Sequence, residues 1–178
     1  MGRDGTDAGA DGTGNVPDGV HCRAARAVLG IVANRLGGYY APRCASMELR
    51  FAACVAWGAI WDCYATWKRR IDATFNAAMS VPGHHITWIL GVNTVEEALK
   101  KLEPCRLDDV AQKMRFPFLV VHGAEDEQVP LEDAEALYNV SGSPDKTLRV
   151  FTAQEGGSQH CMRDYAVQGV AEMWNWFE

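Results

Sequence analysis

The sequence predicts an α/β fold that is built on a parallel sheet of about four strands. Two observations favour this fold class. Short, continuous apolar runs recur along the chain, as expected of strands that a parallel sheet buries on both faces. Segments with helical apolar spacing separate these runs, and strands that alternate with helices form parallel β-α-β units with right-handed crossovers. The length of 178 residues suits one domain.

The strand pattern occurs in four segments. The first two are continuous apolar runs, the third is introduced by a proline, and the fourth alternates like a strand near the edge of a sheet. The four segments are "AVLGIVA" (27–33), "FAACVAW" (51–57), "FPFLVVHGA" (116–124) and "KTLRVF" (146–151).

Helical patterns fill the intervals between the strands. A helix is expected after the first strand, ending at about Met47. Thr94 and Glu97 form a capping box before "ALKKL". Pro130 is expected in the first turn of a helix over "LEDAEALY", and "YAVQGVAEMWNWF" closes the chain as an amphipathic helix.

The chain divides into a leader and one domain. Residues 1–19 are dominated by Gly, Asp and Thr, and we expect a disordered leader because so few apolar side chains cannot offset the entropy of ordering. The domain is expected over residues 27–178. Its interval 58–115 is too long for one crossover helix and is rich in aromatic residues, which predicts a cap over a pocket. Plain packing between helices is the other interpretation of these aromatics.

Composition excludes several classes of partner. A net charge of -6 and a pI near 5.4 argue against nucleic-acid binding, which needs a basic surface. The basic cluster Lys68–Arg70 is interpreted as the solvated end of a helix. Six cysteines without metal-ligand spacing predict neither a metal site nor a disulfide framework. No apolar run approaches the ~20 residues of a membrane span, and we expect a cytoplasmic protein. We also expect that it needs no cofactor and that it binds a small molecule.

Three positions have the order of a hydrolytic triad, which is nucleophile, acid and histidine. In "GIVANRLGGYYAPR" an apolar run ends in a glycine-flanked turn and begins a helix. Such an elbow presents a nucleophile at its apex, but the apex residue here is Arg35. Asp126 follows the third strand in "HGAEDEQVP", and His160 follows the fourth in "EGGSQHC". Loops at the carboxyl ends of parallel strands are where α/β sheets place their sites.

The segments "NRLGGYYAPR", "ACVAWGAIWD", "VVHGAEDEQVP" and "EGGSQHC" resemble the α/β-hydrolase superfamily. In particular they resemble its capped branch, which contains 2,6-dihydroxypseudooxynicotine hydrolase-like carbon–carbon hydrolases, related esterases and fungal polyketide-processing hydrolases. The resemblance implies the C-terminal half of such a sheet with flanking helices and a helical cap. It also implies that Asp126 is the triad acid, that His160 is the general base and that Arg35 occupies the nucleophile position. Leu36 would supply an oxyanion-hole N–H.

The resemblance also implies a reaction class, the hydrolysis of ester or carbon–carbon bonds in small ketonic or aromatic molecules, as in natural-product metabolism. We expect the substrate pocket to be aromatic, because such a lining favours flat ketonic or aromatic ligands. The expected lining residues are Tyr39, Trp57, Trp61 and Trp88.

The elbow departs from the family pattern at two positions. Ala33 replaces the first glycine of G-x-S-x-G, which a small side chain tolerates. Arg35 replaces the serine, and a guanidinium that stays protonated and only donates hydrogen bonds cannot attack a carbonyl. Two functions follow from this difference. The protein is an impaired hydrolase, or it is a non-catalytic pseudoenzyme that binds a small acidic ligand through Arg35 or binds a partner chain.

Other nucleophiles lie too far along the chain to replace the serine. Ser46, Cys44 and Cys54 are expected in the following helix or the next strand, and they cannot reach the apex of the elbow without rearrangement. Water activated by His160 is the better substitute.

The first strand is expected at an open edge of the sheet. In the resembling family the elbow follows the fifth of eight strands, whereas a glycine-rich leader precedes it here, so we expect a truncated sheet. Exposed edges invite pairing with another chain. The expected partner is a second copy of the chain or a protein that completes the sheet.

Overall fold

The computed structural model describes residues 29–75 and 85–178. The expected leader lies outside the described residues, as do the first two residues of the expected first strand. Residues 76–84 of the expected cap also lie outside them.

In the described ranges, four parallel strands form a sheet in the order β1-β2-β3-β4. This order confirms the predicted α/β class. Because all four strands run in the same direction, their carboxyl ends lie along one edge of the sheet. The strands are β1 (Leu29–Asn34), β2 (Phe51–Trp57), β3 (Phe118–Gly123) and β4 (Lys146–Phe151).

Helices connect the strands. The described residues contain α1 (Gly37–Met47), α2 (Cys63–Phe75), α3 (His85–Leu90), α4 (Val95–Leu102), α5 (Leu131–Val140) and α6 (Ala166–Phe177), with short 3₁₀ turns at Ala111–Lys113 and His160–Met162. None of the helices in these ranges is both long and apolar enough to cross a membrane.

Local hydrogen bonds explain where α4 and α5 begin. Thr94 Oγ1 accepts the backbone N–H of Glu97 at 3.1 Å, which confirms the predicted cap. The Glu97 carboxylate accepts the N–H of Asn93 at 3.0 Å, one residue earlier than a standard capping box. Pro130 is the residue before α5 rather than part of its first turn.

Apolar layers cover both faces of the sheet. Alternate residues of β2 and β3, among them Ala56 and Val120, pack against the layer that contains α1 and α5. The residues between them, Trp57 and Val121, face the layer beneath α6. A side chain at Gly169 of α6 would meet the Trp57 ring. Strand β3 lies between both layers and is buried along its whole length.

The helices of the interval 58–115 pack in the apolar layer that also contains α1 and α5, here called the first core layer. Trp67, Ile71, Ile86 and Leu102 are buried there together with residues of α1 and β2. Part of the aromatic content therefore packs between helices, as the alternative interpretation had it. The assignment of this interval as a cap stays a prediction.

Strand β1 is less buried than its apolar sequence predicts. Leu29 is 55% exposed and Val32 is 45% exposed, so the expectation of a strand buried on both faces is wrong for these residues. The physical reason is position: β1 pairs with β2 on one side, and no other strand of the described ranges pairs with its second side.

We expect this edge to promote association between chains. The side of β1 that pairs with no strand of the described residues, together with exposed Leu29 and Val32, forms a template for strand pairing. Sedimentation should therefore show dimers or larger species. Val32→Lys places a charge on the edge and should shift the distribution toward monomers. The control Trp88→Lys removes a more exposed apolar side chain, 84% exposed on α3, and should change little. A monomeric wild type at high concentration would contradict this expectation.

Candidate active site

The three positions of the expected triad lie along the carboxyl edge of the sheet. Arg35 directly follows β1, Asp126 lies in the loop after β3, and His160 begins the 3₁₀ turn after β4. The parallel strands therefore direct these distant segments toward the same edge.

Asp126 and His160 form a buried hydrogen-bonded pair. His160 Nδ1 lies 2.8 Å from Asp126 Oδ2 and 3.0 Å from Oδ1. Because an ionised carboxylate only accepts hydrogen bonds, Nδ1 carries the hydrogen and donates it. Asp126 Oδ1 also accepts the backbone N–H groups of Gln128 and Val129, both at 2.9 Å. The carboxylate is thus held in place by its own loop, and it directs Nε2 of the imidazole away from itself.

The two members of the pair have opposite pKa shifts. Burial lowers the pKa of His160, but hydrogen bonds to Asp126 and Cys161 outweigh burial and raise the pKa to about 9. Burial raises the pKa of Asp126, but the hydrogen bond and positive charge of His160 outweigh it and hold that pKa below its usual value. Near pH 7 the pair is therefore a buried ion pair of imidazolium and carboxylate.

A second histidine supports the Asp126 loop. His122, on buried strand β3, donates from Nε2 to the carbonyl oxygen of Val129 at 2.9 Å, and Nε2 lies 3.9 Å from Asp126 Oδ2. Burial lowers the pKa of His122, so its imidazole is neutral near pH 7. His122 is not among the site residues predicted from the sequence, although its polar side chain inside the apolar run "FLVVHG" was an available signal.

Cys161 lies on the other side of the His160 ring. Its Sγ is 3.5 Å from His160 Nε2, and its backbone has the left-handed φ of 52°. Gly58, after β2, leaves room for the thiol, since an added Cβ there would lie 3.1 Å from Sγ. Cys161 is not among the site residues predicted from the sequence. Its adjacency to His160 was the only signal, and adjacency alone does not determine where a side chain points.

Arg35 has the backbone of a nucleophile elbow. Its φ of 58° is left-handed, a conformation that non-glycine residues adopt at strained functional turns. The N–H of Gly38 donates to the Arg35 carbonyl oxygen at 2.8 Å and closes the turn. Ala33 fits because Gly37 has no side chain: a Cβ at Gly37 would lie 2.5 Å from the Ala33 methyl group. Leu36, the expected oxyanion-hole donor, follows Arg35 directly and is the N-cap residue of α1.

The Arg35 side chain does not fill a pocket. The residue is exposed, and among the described residues its guanidinium makes no ion pair with Asp126 within 4.0 Å. The left-handed apex projects the side chain toward solvent, where a long cation is well hydrated.

Arg70 adds a second guanidinium beside the site. The residue is half-buried on α2, and burial lowers the pKa of Arg70, while the charges of Asp126 and Cys161 raise it and that of Arg35 lowers it. Arg69 donates to the carbonyl oxygen of Gln128 at 3.3 Å. The interpretation of Lys68–Arg70 as a solvated helix end is therefore wrong for its last two residues, because α2 turns them toward the Asp126 loop.

The four expected pocket residues do not gather around His160. Trp57 packs in the core because its position in β2 faces α6, and Trp88 is 84% exposed. Trp61 is partly buried in the first core layer, where its backbone N–H donates to Asp133 Oδ2 at 3.3 Å. Since each side chain follows the face of its own element, these positions do not form one pocket.

Tyr39 lines an apolar cavity of about 770 Å³ that is separate from the Asp126 loop. The Tyr39 hydroxyl accepts a hydrogen bond from Arg43 at 3.2 Å. Burial raises the pKa of Tyr39 to about 12 despite the opposing charge of Arg43. The other lining residues are Ile31, Tyr40, Arg43, Cys44, Met47, Glu48, Phe51, Pro104 and Cys105.

A second cavity, of about 580 Å³, lies beside Asp126. Its lining includes the acidic residues Glu125, Glu127 and Glu132. Within residues 29–75 and 85–178, no group of three or more His, Cys, Asp or Glu residues is arranged to hold a metal ion.

A parallel sheet with an elbow after β1, an acid after β3 and a histidine after β4 defines part of an α/β-hydrolase fold. Comparison with known proteins agrees. The chain is 27% identical over 149 residues to 2,6-dihydropseudooxynicotine hydrolase of Paenarthrobacter nicotinovorans, across 83% of this chain and 37% of the relative. No family model matches the chain.

Solved structures show the same fold. The structure of 2,6-dihydroxy-pseudo-oxynicotine hydrolase matches with a TM-score of 0.64 and 27% identity, over 83% of this chain and 38% of that one. An esterase domain from a Rhodothermus marinus protein matches with a TM-score of 0.54 and 19% identity, over 82% and 59%. The chain therefore spans between 37% and 59% of the length of these relatives, less than two thirds of each. The fold and the resemblance predicted from the sequence are confirmed.

The Asp126–His160 ion pair predicts how stability depends on pH. Because the pKa of His160 is raised to about 9 from 6.5 in the unfolded chain, its contribution is complete below about pH 6.5 and is lost as the pH rises through about 9. The difference in unfolding free energy between wild type and His160→Gln should therefore shrink by at most about 1.4 kcal/mol per pH unit across this window.

Denaturant titrations from pH 6 to 10 measure this difference. The control Gln168→Ala removes a side chain that carries no titratable group, whose Nε2 donates to the carbonyl oxygen of Glu155 at 2.7 Å, and it should keep the pH dependence of the wild type. A difference between wild type and His160→Gln that stays constant over the whole range would contradict the ion pair.

Proposed function

We propose that this protein is a hydrolase that cleaves ester or carbon–carbon bonds in small ketonic or aromatic molecules. The observation that carries this proposal is the buried Asp126–His160 pair at the carboxyl edge of a parallel sheet. Relatives whose names include "hydrolase" and "esterase" support the reaction class. A role in natural-product metabolism and a cytoplasmic location are part of the same proposal.

His160 acts as the general base. Asp126 holds Nδ1–H, so the Nε2 lone pair of the neutral ring can take a proton from the attacking water. The N–H of Leu36, at the N-terminal end of α1, stabilises the negative charge that develops on the carbonyl oxygen. These steps use no metal or cofactor.

Two features lower the expected rate. Arg35 replaces the nucleophile, and a guanidinium cannot attack a carbonyl. In addition, a His160 pKa of about 9 leaves about one ring in a hundred in the neutral, basic form at pH 7. The protein is therefore proposed to be a weak hydrolase at neutral pH, and its rate increases as the pH approaches 9.

Replacement of Arg35 by serine should restore a nucleophile. We expect Arg35→Ser to hydrolyse p-nitrophenyl acetate at least about 100-fold faster than wild type, because the elbow backbone is already present. The rate should rise with pH through about 9, as His160 loses its proton. Steady-state release of p-nitrophenol between pH 6 and 10 measures both effects.

The controls separate the new hydroxyl from loss of the guanidinium. Arg35→Ala removes the same charge without adding a nucleophile and should stay near the wild-type rate. Adding His160→Gln to Arg35→Ser should remove the gain. If the double variant hydrolyses the ester as fast as Arg35→Ser, His160 is not the base.

The second candidate function is binding of a small acidic ligand without turnover. The observation that favours it is the positive charge at this edge of the sheet, where the charges of Arg35 and Arg70 lie near enough to interact and His160 is an imidazolium. This local charge contrasts with the net charge of -6 for the chain. The acidic cavity beside Asp126 repels such a ligand, so binding is expected on the Arg35 side.

Benzoate tests the acidic-ligand function. Its carboxylate should bind more tightly than the neutral isostere benzamide, and Arg35→Gln should weaken benzoate binding about tenfold, because a charge-assisted hydrogen bond is lost. Titration calorimetry measures both affinities. Arg43→Gln, on the far part of α1 beside Tyr39, is the matched control. Equal affinity for benzoate and benzamide would exclude this function.

A further inference from the structure

The catalytic side of the His160 ring already has a nucleophilic atom next to it. Nδ1 is occupied by the Asp126 carboxylate at 2.8 Å, and Nε2 lies 3.5 Å from Cys161 Sγ. Carboxylate, imidazole and thiol therefore form a continuous chain of contacts. This is the arrangement in which a general base activates a cysteine nucleophile, with an acid that orients the base.

The backbone holds the thiol in this position. Cys161 and Met162 both have left-handed φ values, 52° and 54°, which cost energy for non-glycine residues and persist where the surroundings impose them. Met162 is fully buried, and its N–H donates to the Gln159 carbonyl oxygen at 2.8 Å. The positive φ of Gly58, 73°, accompanies the close approach of Sγ to the end of β2.

We propose that Cys161 is the nucleophile of an Asp126–His160–Cys161 triad and takes the role that Arg35 cannot perform. The proposal rests on the proposed hydrolase function and gives it a covalent mechanism in place of direct attack by water. It also gives the substrate class, a carboxylic ester whose acyl group is transferred to sulfur.

Cys161 is more accessible to solvent than the buried cysteines are. Cys161 is partly exposed, whereas Cys54 and Cys63 are buried. Burial raises the pKa of Cys63 to about 12 and that of Cys54 further, so neither forms a thiolate near neutral pH. Cys44 is exposed on α1, and among the described residues it makes no hydrogen bond to a histidine.

The proposed reaction has two balanced steps. In the first, neutral His160 takes the thiol proton, sulfur attacks the ester carbonyl, and the alcohol leaves with that proton as the C–O bond breaks. The product is a thioester on Cys161. In the second, His160 takes a proton from water, the hydroxide attacks the thioester, and the C–S bond breaks as the thiol regains the proton. No oxidant or reductant is needed.

Charged neighbours favour both steps. A base with a pKa of about 9 is strong enough to accept the proton of a thiol. Arg70 lies near enough to Cys161 for their charges to interact, so its guanidinium favours the negative charge that forms on the sulfur.

The experiment traps the acyl group. Full-length protein is mixed with p-nitrophenyl acetate, quenched in acid and digested, and peptide mass spectrometry locates the acetyl group. We expect a hydroxylamine-sensitive thioester on Cys161. Cys161→Ala should lower the rate of p-nitrophenol release about 100-fold, whereas the control Cys44→Ala should leave it unchanged. Circular dichroism checks that each variant is folded, and Cys161→Ser provides a near-isosteric second variant.

The outcomes separate this proposal from the proposed function. Hydrolysis that survives Cys161→Ala and Cys161→Ser but is lost in His160→Gln overturns the thiol nucleophile and leaves the hydrolase in place, with water as the attacking group. An acetyl group found on another residue also overturns it.

If neither the wild type nor any variant hydrolyses the ester, the proposed function fails. The rate at which iodoacetamide alkylates each cysteine then tests whether His160 activates Cys161. Alkylation of Cys161 about tenfold faster than that of Cys44, and slowed by His160→Gln, supports a thiol that His160 activates. Equal rates for Cys161 and Cys44 overturn the proposal.

Discussion

Parallel pairing of β1 to β4 is the constraint on which the rest of the site depends. Because all strands run in the same direction, the loops after β1, β3 and β4 leave the sheet along one edge. The hydrogen bond between Asp126 and His160 then joins the last two of these loops. Without the aligned strand ends, residues far apart in sequence would have no reason to meet.

The elbow shows that this backbone does not require a serine. Arg35 adopts a left-handed φ of 58° because the turn and the packing of α1 on the sheet impose it. At Gly38, a side chain would collide with the carbonyl oxygen of Gly58, so α1 and the end of β2 touch through their backbones. Since the geometry comes from the glycines, the apex residue can change without a change in the fold. What changes is the electrostatics, because a cation now occupies the nucleophile position.

Two elements that carry exposed apolar residues, β1 and α6, contact each other. Val32 of β1 is exposed, and so are Val167, Val170 and Trp174, which follow one face of α6 at helical spacing. The side chain of Phe177 on α6 lies against Gly30 of β1. The sheet edge and the helix face are therefore continuous, and burial of either one would extend to the other.

The sequence by itself determined the fold class, the four strands and the order of Arg35, Asp126 and His160. Apolar periodicity, turn glycines and capping residues are local signals, and they are readable without knowing the distant contacts. Only the tertiary structure decided which side chains meet. The ring of Trp57 faces α6, Arg70 turns toward the Asp126 loop, and the thiol of Cys161 contacts His160 Nε2. These outcomes depend on helix orientation and on single left-handed φ values, which the packing of distant segments imposes and which no local pattern encodes.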